Sequence, residues 1–217
     1  MKKRNEKNSF SLETIRRLSI YLRNLKRLKD QNTDVISSDK LTKFLNVSPE
    51  QFRKDLSFFG GFGKRGVGYN VERLAQEIES ILGLDQERRI AIVGIGRLGS
   101  ALLGFEGFSK FKLKITLAFD IDEDKIRRVR QGVKIRHVKQ MQRIIRKENI
   151  KIAIISTPPE VAQKVADGLV SSGIKGILNF APIVLKVSQT VSVSNVDMAS
   201  ELESLIFLTK RRQGKNG

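Results

Sequence analysis

Residues 94–99 read Gly-Ile-Gly-Arg-Leu-Gly and residues 61–66 read Gly-Phe-Gly-Lys-Arg-Gly, so one glycine spacing occurs twice in a chain of 217 residues. Gly94, Ile95, Gly96, Arg97, Leu98 and Gly99 follow an apolar run at 90–93 and precede a helical pattern. That order gives the spacing a chemistry. The first glycine turns the chain, the second lets a pyrophosphate approach the backbone, and the third lets helix and strand lie close together. Free amides at the helix start then face the phosphates. Asp120 closes the next apolar run. A carboxylate there accepts from the hydroxyls of an adenine ribose and repels a 2′-phosphate, which favours NAD(H) over NADP(H) as the bound ligand.

The other copy follows a helical pattern instead of a strand, so it lacks both features that hold a pyrophosphate. It fits a glycine-rich hairpin that presents Lys64 and Arg65 at its tip. Just upstream, Ser48 is placed to cap a helix, Pro49 suits its first position, and Gln51 stands where a capping box closes. A capped helix followed by a basic hairpin reads as a winged helix-turn-helix. Its helix would enter the major groove of duplex DNA with Ser48, Gln51, Arg53 and Lys54 near the N-terminal end. Arg53 is the residue expected to read a base edge, while Lys54, Lys64 and Arg65 position the phosphate backbone or lie in the minor groove.

Composition narrows the alternatives. The chain has no cysteine and one histidine, His137, which excludes disulfides, thiolate or multi-histidine metal sites and a cysteine nucleophile. No catalytic residue and no metal ligand set is expected. An NAD(H)-dependent oxidoreductase with an appended basic domain is the competing reading. It needs a proton relay near the nicotinamide, yet His137 lies in a basic strand or loop segment and Tyr21 and Tyr69 both lie in the N-terminal part. No apolar run approaches the roughly 20 residues that span a bilayer, and the N-terminus lacks the apolar core of a signal peptide, so the expected location is the cytoplasm. The net charge of +18 suggests a polyanionic partner, but residues 1–84 hold 17 basic against 10 acidic residues and residues 85–217 hold 24 against 13, so charge does not say which part meets it. Residues 125–151 carry eleven basic residues against Glu148 alone and read as a solvated basic face.

The elements that must position these residues change character near Gly83. Before it, Leu12, Ile15, Leu18, Leu22, Leu25 and Leu28 recur at helical steps. A short helix follows in SSDKLTKFL, with Leu41, Phe44 and Leu45 on one face, and then comes the helix capped by Ser48. After it, strand and helix patterns alternate, with 122–131 read as helical and the apolar runs at 150–157 and 174–181 read as parallel strands buried on both faces. The expected fold is α/β: an N-terminal winged helix-turn-helix domain (1–84), a Rossmann-type doubly wound parallel sheet that binds NAD(H) (85–196), and a C-terminal dimerisation helix with a basic tail (197–217).

With these motifs together, the chain resembles the Rex family of redox-sensing transcriptional repressors over nearly its whole length. The resemblance rests on TIRRLSIYLR, SPEQFRKDLSFFGGFGKRGVGY, ILGLD, IAIVGIGRLGSAL, AFDID, IKGILNFAP and NVDMASEL. It implies a homodimer whose winged helices bind an inverted-repeat operator and leave it when NADH binds the Rossmann domains. It also implies exchange of C-terminal helices between subunits, for which Leu202, Leu205, Ile206, Phe207 and Leu208 supply an apolar surface nearly all round. Thr157, Pro158 and Asn179 are expected around the nicotinamide, with Asp197 reaching in from the partner. Many members resembling this chain have Tyr-Pro at the end of the helix after the glycine turn, where the phenol bonds the aspartate matching Asp197. Phe105-Glu106 stands there instead. Asp197 is then left to Arg16 or another cation, or to capping its own helix.

Overall fold

The computed structural model describes residues 10–64 and 66–213, with side chains as far as residue 210. Arg65 and the end of the basic tail lie outside the described residues. The chain divides into two compact units, Met1–Gln86 and Glu87–Gly217. Among the described residues no helix is long and apolar enough to cross a membrane.

In the first unit α1 (Leu12–Asp30) leads to β1 (Val35–Ile36), α2 (Ser38–Thr42), α3 (Pro49–Ser57), β2 (Tyr69–Asn70) and α4 (Val71–Ile81). All four helices start on a short polar cap. Ser11, Ser37, Ser48 and Asn70 accept from the amides of Thr14, Lys40, Gln51 and Arg73 at 3.2, 3.2, 3.1 and 2.8 Å. Each such bond is worth about 1 kcal/mol. The core is built on Leu18, Tyr21, Leu22 and Leu25 of α1, with Leu41, Phe52, Leu56, Leu74 and Ile78 from the other helices. Phe52 lies edge-on to both Tyr21 and Tyr69, at 4.9 and 5.4 Å between ring centres. β1 and β2 pair antiparallel, and a tighter hairpin between them closes through mutual Lys64 and Gly68 backbone bonds of 3.2 and 3.1 Å.

Two expectations shift here. Leu12 is 61% exposed, so the buried stripe of α1 begins at Thr14. Phe44 is 65% exposed, off the face that its spacing from Leu41 predicts. The reason is local: α2 stops at Thr42, and the amides of Phe44 and Leu45 reach back only three residues, to Leu41 and Thr42. That tighter winding rotates Phe44 out of the α-helical period.

The second unit runs β3 (Arg88–Val93), α5 (Arg97–Leu103), β4 (Leu113–Asp120), β5 (Val129–Arg130), β6 (Val133–His137), α6 (Met141–Lys147), β7 (Ile152–Ile155), α7 (Pro159–Ser171), β8 (Gly176–Asn179), β9 (Ser192–Asn195) and α8 (Met198–Gln213). The sheet order is β5-β6-β4-β3-β7-β8-β9, with every pair parallel except β5 with β6. Without β5, the parallel strands stand in the order third, second, first, fourth, fifth, sixth, which is the doubly wound Rossmann arrangement. One apolar layer, around Ile92, Ile95, Ala118 and Ile135, faces α5. The other, around Val93, Phe119, Met141, Ile145 and Leu169, is covered by α6 and α7.

Residues 122–131 are not helical. They form turns that run into the β5–β6 hairpin, whose Arg130 pairs with Val133 across a two-residue loop. Both loop residues are left-handed, Gln131 at φ 49° and Gly132 at φ 75°. That is the turn whose twist matches an antiparallel pair, and it outcompetes a helix in a stretch where arginines would crowd each other. Every described side chain of α8 is exposed. A Cβ at Gly132 would meet nothing within 4 Å, so Gly132→Ala isolates the conformational cost of the turn. It should lower unfolding free energy by roughly 1 to 2 kcal/mol in urea denaturation followed by circular dichroism.

Candidate functional site

The loops after β3 and β7 meet where the strand order reverses. Ser156 joins them, its amide donating to Val93 O at 3.0 Å and its hydroxyl to Gly94 O at 2.8 Å. The three glycines at this meeting differ in what a side chain would meet. Gly94 is left-handed at φ 93°, and a Cβ would stand 2.7 Å from Ser156 O. At Gly99 a Cβ would fall 2.0 Å from Gly94 O, so that glycine allows α5 to lie against the turn. Gly96 has ordinary backbone geometry and nothing within 4 Å of a Cβ, and it starts α5 without any side-chain cap. The surface at Gly96 is therefore open to a ligand, with the first amides of α5, at Arg97 and Leu98, without a capping side chain. Arg97 is exposed, Leu98 half-buried, and the Ile95 side chain fully buried, so Ile95 contributes only backbone.

Asp120 is 8% exposed, and its carboxylate is occupied by the protein. Oδ2 accepts from Ile95 N at 2.6 Å; Oδ1 accepts from Ile121 N at 2.8 Å and Asp122 N at 3.0 Å. Lys125 Nζ stands 3.7 Å from Oδ2. Against the expectation of a carboxylate free for both ribose hydroxyls, three backbone amides already bond it and one lone-pair direction remains, beside Lys125. Asp122 is the accessible carboxylate at this edge, missed in the sequence, with Lys125 at 2.9 Å. The hydrogen bond from Lys125, then that from the Asp124 amide, hold the Asp122 carboxyl below the usual carboxylate range.

The Asn179 side chain is likewise engaged by the protein. It is fully buried, and its Nδ2 donates to Ala181 O, Ile183 O and Asn195 Oδ1 at 3.0, 3.0 and 2.9 Å. Its Oδ1 accepts from Ala181 N at 3.0 Å. With both ends engaged it shapes the loop after β8 and offers no amide to a ligand. Thr157 is the reverse case: half-buried, its Oγ1 shielded from solvent and without a hydrogen-bond partner. An orphaned hydroxyl, an open Gly96 and an uncapped helix start together fit a dinucleotide. Pro158 is exposed at the start of α7. His137 accepts from Lys139 N at 3.0 Å through Nδ1, a local cap.

In the first unit the recognition-helix candidate, α3, is held by Asp55, which is fully buried. Arg17 grips it with Nε at 2.6 Å and Nη2 at 2.7 Å, Tyr21 donates its hydroxyl at 2.7 Å, and Gln51 donates Nε2 at 2.8 Å. Burial pushes the Asp55 carboxyl up, but the hydrogen bonds from Arg17, Tyr21 and Gln51 outweigh it and leave it below the usual range. The same burial and the bond to Asp55 push the Tyr21 phenol well up. Gln51 therefore neither completes a capping box nor projects its amide outward, a correction caused by the stronger charge-assisted bond within its own helix.

Ser48, Arg53, Lys54 and Lys64 are exposed, and Arg53 rests on Ser38 Oγ at 2.7 Å and Glu50 at 3.1 Å. The wing needs its glycines for turning, with Gly63, Gly66 and Gly68 at φ 73°, 80° and 94°. Arg16 pairs with Glu13 at 2.6 Å on the surface of α1. Phe105 is 58% exposed and lies edge-on to Phe108 at 5.0 Å. Asp197 caps α8, accepting from Ala199 N at 3.0 Å and Ser200 N at 3.2 Å.

A winged helix-turn-helix unit followed by a Rossmann unit with an open glycine turn defines a nucleotide-binding protein of the DNA-binding class. The sequence pattern described as "Putative DNA-binding protein N-terminus" matches residues 10–57, and the "CoA binding domain" pattern matches residues 85–183. The redox-sensing transcriptional repressor Rex of Syntrophobacter fumaroxidans is 45% identical over 90% of this chain and 94% of its own. That of Roseiflexus sp. is 43% identical over 91% and 90%. The solved structure of RSP in complex with β-NAD⁺ and operator DNA superposes with a TM-score of 0.88 at 36% identity, covering 97% of this chain and all of that one. RSP with β-NADH gives 0.85 at 35% identity, covering 97% and 99%. The chain belongs to the Rex family of redox-sensing transcriptional repressors.

Gly96→Ala should fold normally and weaken NADH binding at least tenfold by titration calorimetry, whereas Gly99→Ala should lower the melting temperature, because its Cβ has no room. Asp55→Ala should cost about 3 kcal/mol, the order expected when one partner of a buried ion pair is removed. Since the folded pKa of Asp55 is depressed, its contribution is complete above the usual carboxylate range and is lost as pH falls through the folded value. Asp55→Asn should therefore flatten the acid limb of a melting-temperature profile from about pH 4 downward, leaving the profile above it unchanged in shape.

Proposed function

We propose that this protein is a cytoplasmic homodimeric repressor that binds operator DNA through its winged helices when NADH is scarce and leaves it when NADH fills the Rossmann crevice. The observation that carries this is the end-to-end likeness, at 36% identity, to a structure holding NAD⁺ and operator DNA together. Arg53 reads a base edge, Ser48 and Lys54 fix α3 on the backbone, and Lys64 with Arg65 engages phosphates from the wing. The backbone from Gly94 to Gly99 holds the pyrophosphate, and Thr157 supplies a hydroxyl to the nicotinamide side.

Redox sensing requires NADH to prefer one dimer geometry, because affinity alone shifts no equilibrium. Two recognition helices must meet half-sites about 34 Å apart, so a small rotation between subunits is enough to break the fit. α8 supports the dimer: Leu202, Leu205, Ile206 and Leu208 are between 54% and 61% exposed, a surface suited to exchange into a partner. With Phe105 in place of a phenol and Asp197 engaged as a cap, the switch does not run through a tyrosine-to-aspartate bond.

Catalysis has no support from the available proton donors. Tyr21 is bound to Asp55, and His137 accepts from the backbone. The test is selection of a preferred duplex from a random library by the full-length protein, followed by fluorescence anisotropy. The expected duplex is an inverted repeat, released by NADH and held in NAD⁺. No preferred sequence, or release indifferent to redox state, overturns the reading. Lys54→Ala and Lys64→Ala should each reduce the salt slope of binding by about 1.

A further inference from the structure

The basic run at 125–151 is not absorbed by either site. Its parts have separate fates. Lys125 is taken by Asp122, and Arg130 donates to Ser100 Oγ at 3.0 Å on α5. Of the other nine, Arg127, Arg128 and Lys151 lie outside β6 and α6, and six lie along these elements and the turn between them. Arg136 is in register with Phe119, whose side chain lies in the core layer with Met141 and Ile145 of α6. Alternation then puts Lys134 on that side too. Met141 and Ile145 turn α6 so that Arg143, Arg146 and Lys147 are exposed, and Lys139 is exposed in the turn leading into α6. Glu148, the one acidic residue of the run, is bonded by Arg89 at 2.8 Å. The result is a strip of five cations along β6 and α6, with Arg146 turned toward the end of α7, where it donates to Ser171 O at 2.7 Å. Among the described residues, Lys134, Lys139 and Arg143 make no ion pair, while Lys147 and Arg136, after Arg89, add to the field that holds the Glu148 carboxyl below the usual range.

A dinucleotide crevice needs nothing like this. The glycine turn neutralises one pyrophosphate by backbone amides at the carboxyl ends of the strands, whereas the strip belongs to the α6 face. Maintaining several unpaired cations side by side costs mutual repulsion, which a row of phosphates relieves through counterion release. We infer that the β6–α6 strip is a second, sequence-independent contact for the phosphates of duplex DNA, formed by the Rossmann unit. The inference rests on the DNA-binding reading above and extends it to a unit not expected to touch DNA.

The experiment measures the salt dependence of affinity of the full-length protein for a random-sequence duplex of about 50 base pairs. The strip variant carries Lys134→Gln, Lys139→Gln, Arg143→Gln and Lys147→Gln. A charge-matched control carries Lys151→Gln, Lys164→Gln, Lys175→Gln and Lys186→Gln, exposed lysines of the same unit outside β6 and α6. The strip variant should lose roughly 2 to 4 from the slope of log K against log salt, while the control loses less than about 1. NADH affinity and melting temperature should stay at wild-type values in both. A strip variant with the wild-type slope overturns the proposal, as does a control that loses as much. Loss of binding to phosphatidylserine vesicles with an unchanged DNA slope would also overturn it, in favour of a membrane. Failure of the repressor reading shows separately, as absence of NADH-sensitive operator binding by the wild type.

Discussion

A carboxylate withdrawn from water must have its lone pairs filled, and each unit of this protein meets that demand at one buried aspartate. Asp55 is satisfied by Arg17, Tyr21 and Gln51, and in being satisfied it fastens α3 to α1. Asp120 is satisfied by three backbone amides, one of them from Ile95 inside the glycine turn, and so fastens that turn to the end of β4. In both cases the scaffold element and the ligand-facing element share one charge. Unmaking either bond set leaves an ion uncompensated in a low-dielectric interior, a far larger penalty than losing an ordinary surface contact. The geometry of both candidate surfaces depends on this demand.

Legibility in the sequence follows the reach of each interaction. The caps at Ser11, Ser37, Ser48 and Asn70 bond amides three residues on, so a short window contains the whole device. The strand, turn and helix around Gly94 to Gly99 are equally local, and the same window separates them from the look-alike at 61–66. Asp55 is different: its partners Arg17 and Tyr21 lie 38 and 34 residues away, and nothing near Gln51 announces that its amide will turn inward. Asn179 is hidden for a similar reason, since one of its bonds goes to Asn195 on β9. In 122–131 charge and apolar spacing suit a helix, while the deciding feature is the pair of left-handed residues at its end, Gln131 and Gly132.

Phe105 and α8 carry a related lesson about surfaces. Exposed apolar side chains are ordinary when scattered, but a helix whose described side chains are all exposed cannot be understood from one chain. Its sequence pattern, apolar nearly all round, already said as much. The polar pattern at β6 and α6 speaks in the same way through charge, because cations without carboxylates, like apolar surface without cover, imply something outside the chain.

The saturation of Asp120 also constrains how ligand preference can drift over generations. In a Rossmann unit with a free carboxylate, exchanging that residue is the short route to accepting a phosphorylated ribose. Here the same exchange would strip Ile95 of its acceptor and slacken the turn before any new ligand was recognised. Variation is instead tolerable at Asp122, which faces solvent and holds only Lys125 and a neighbouring amide. The fold thus separates a carboxylate that holds the scaffold together from one that does not, so a change at Asp122 leaves the glycine turn fastened while a change at Asp120 loosens it.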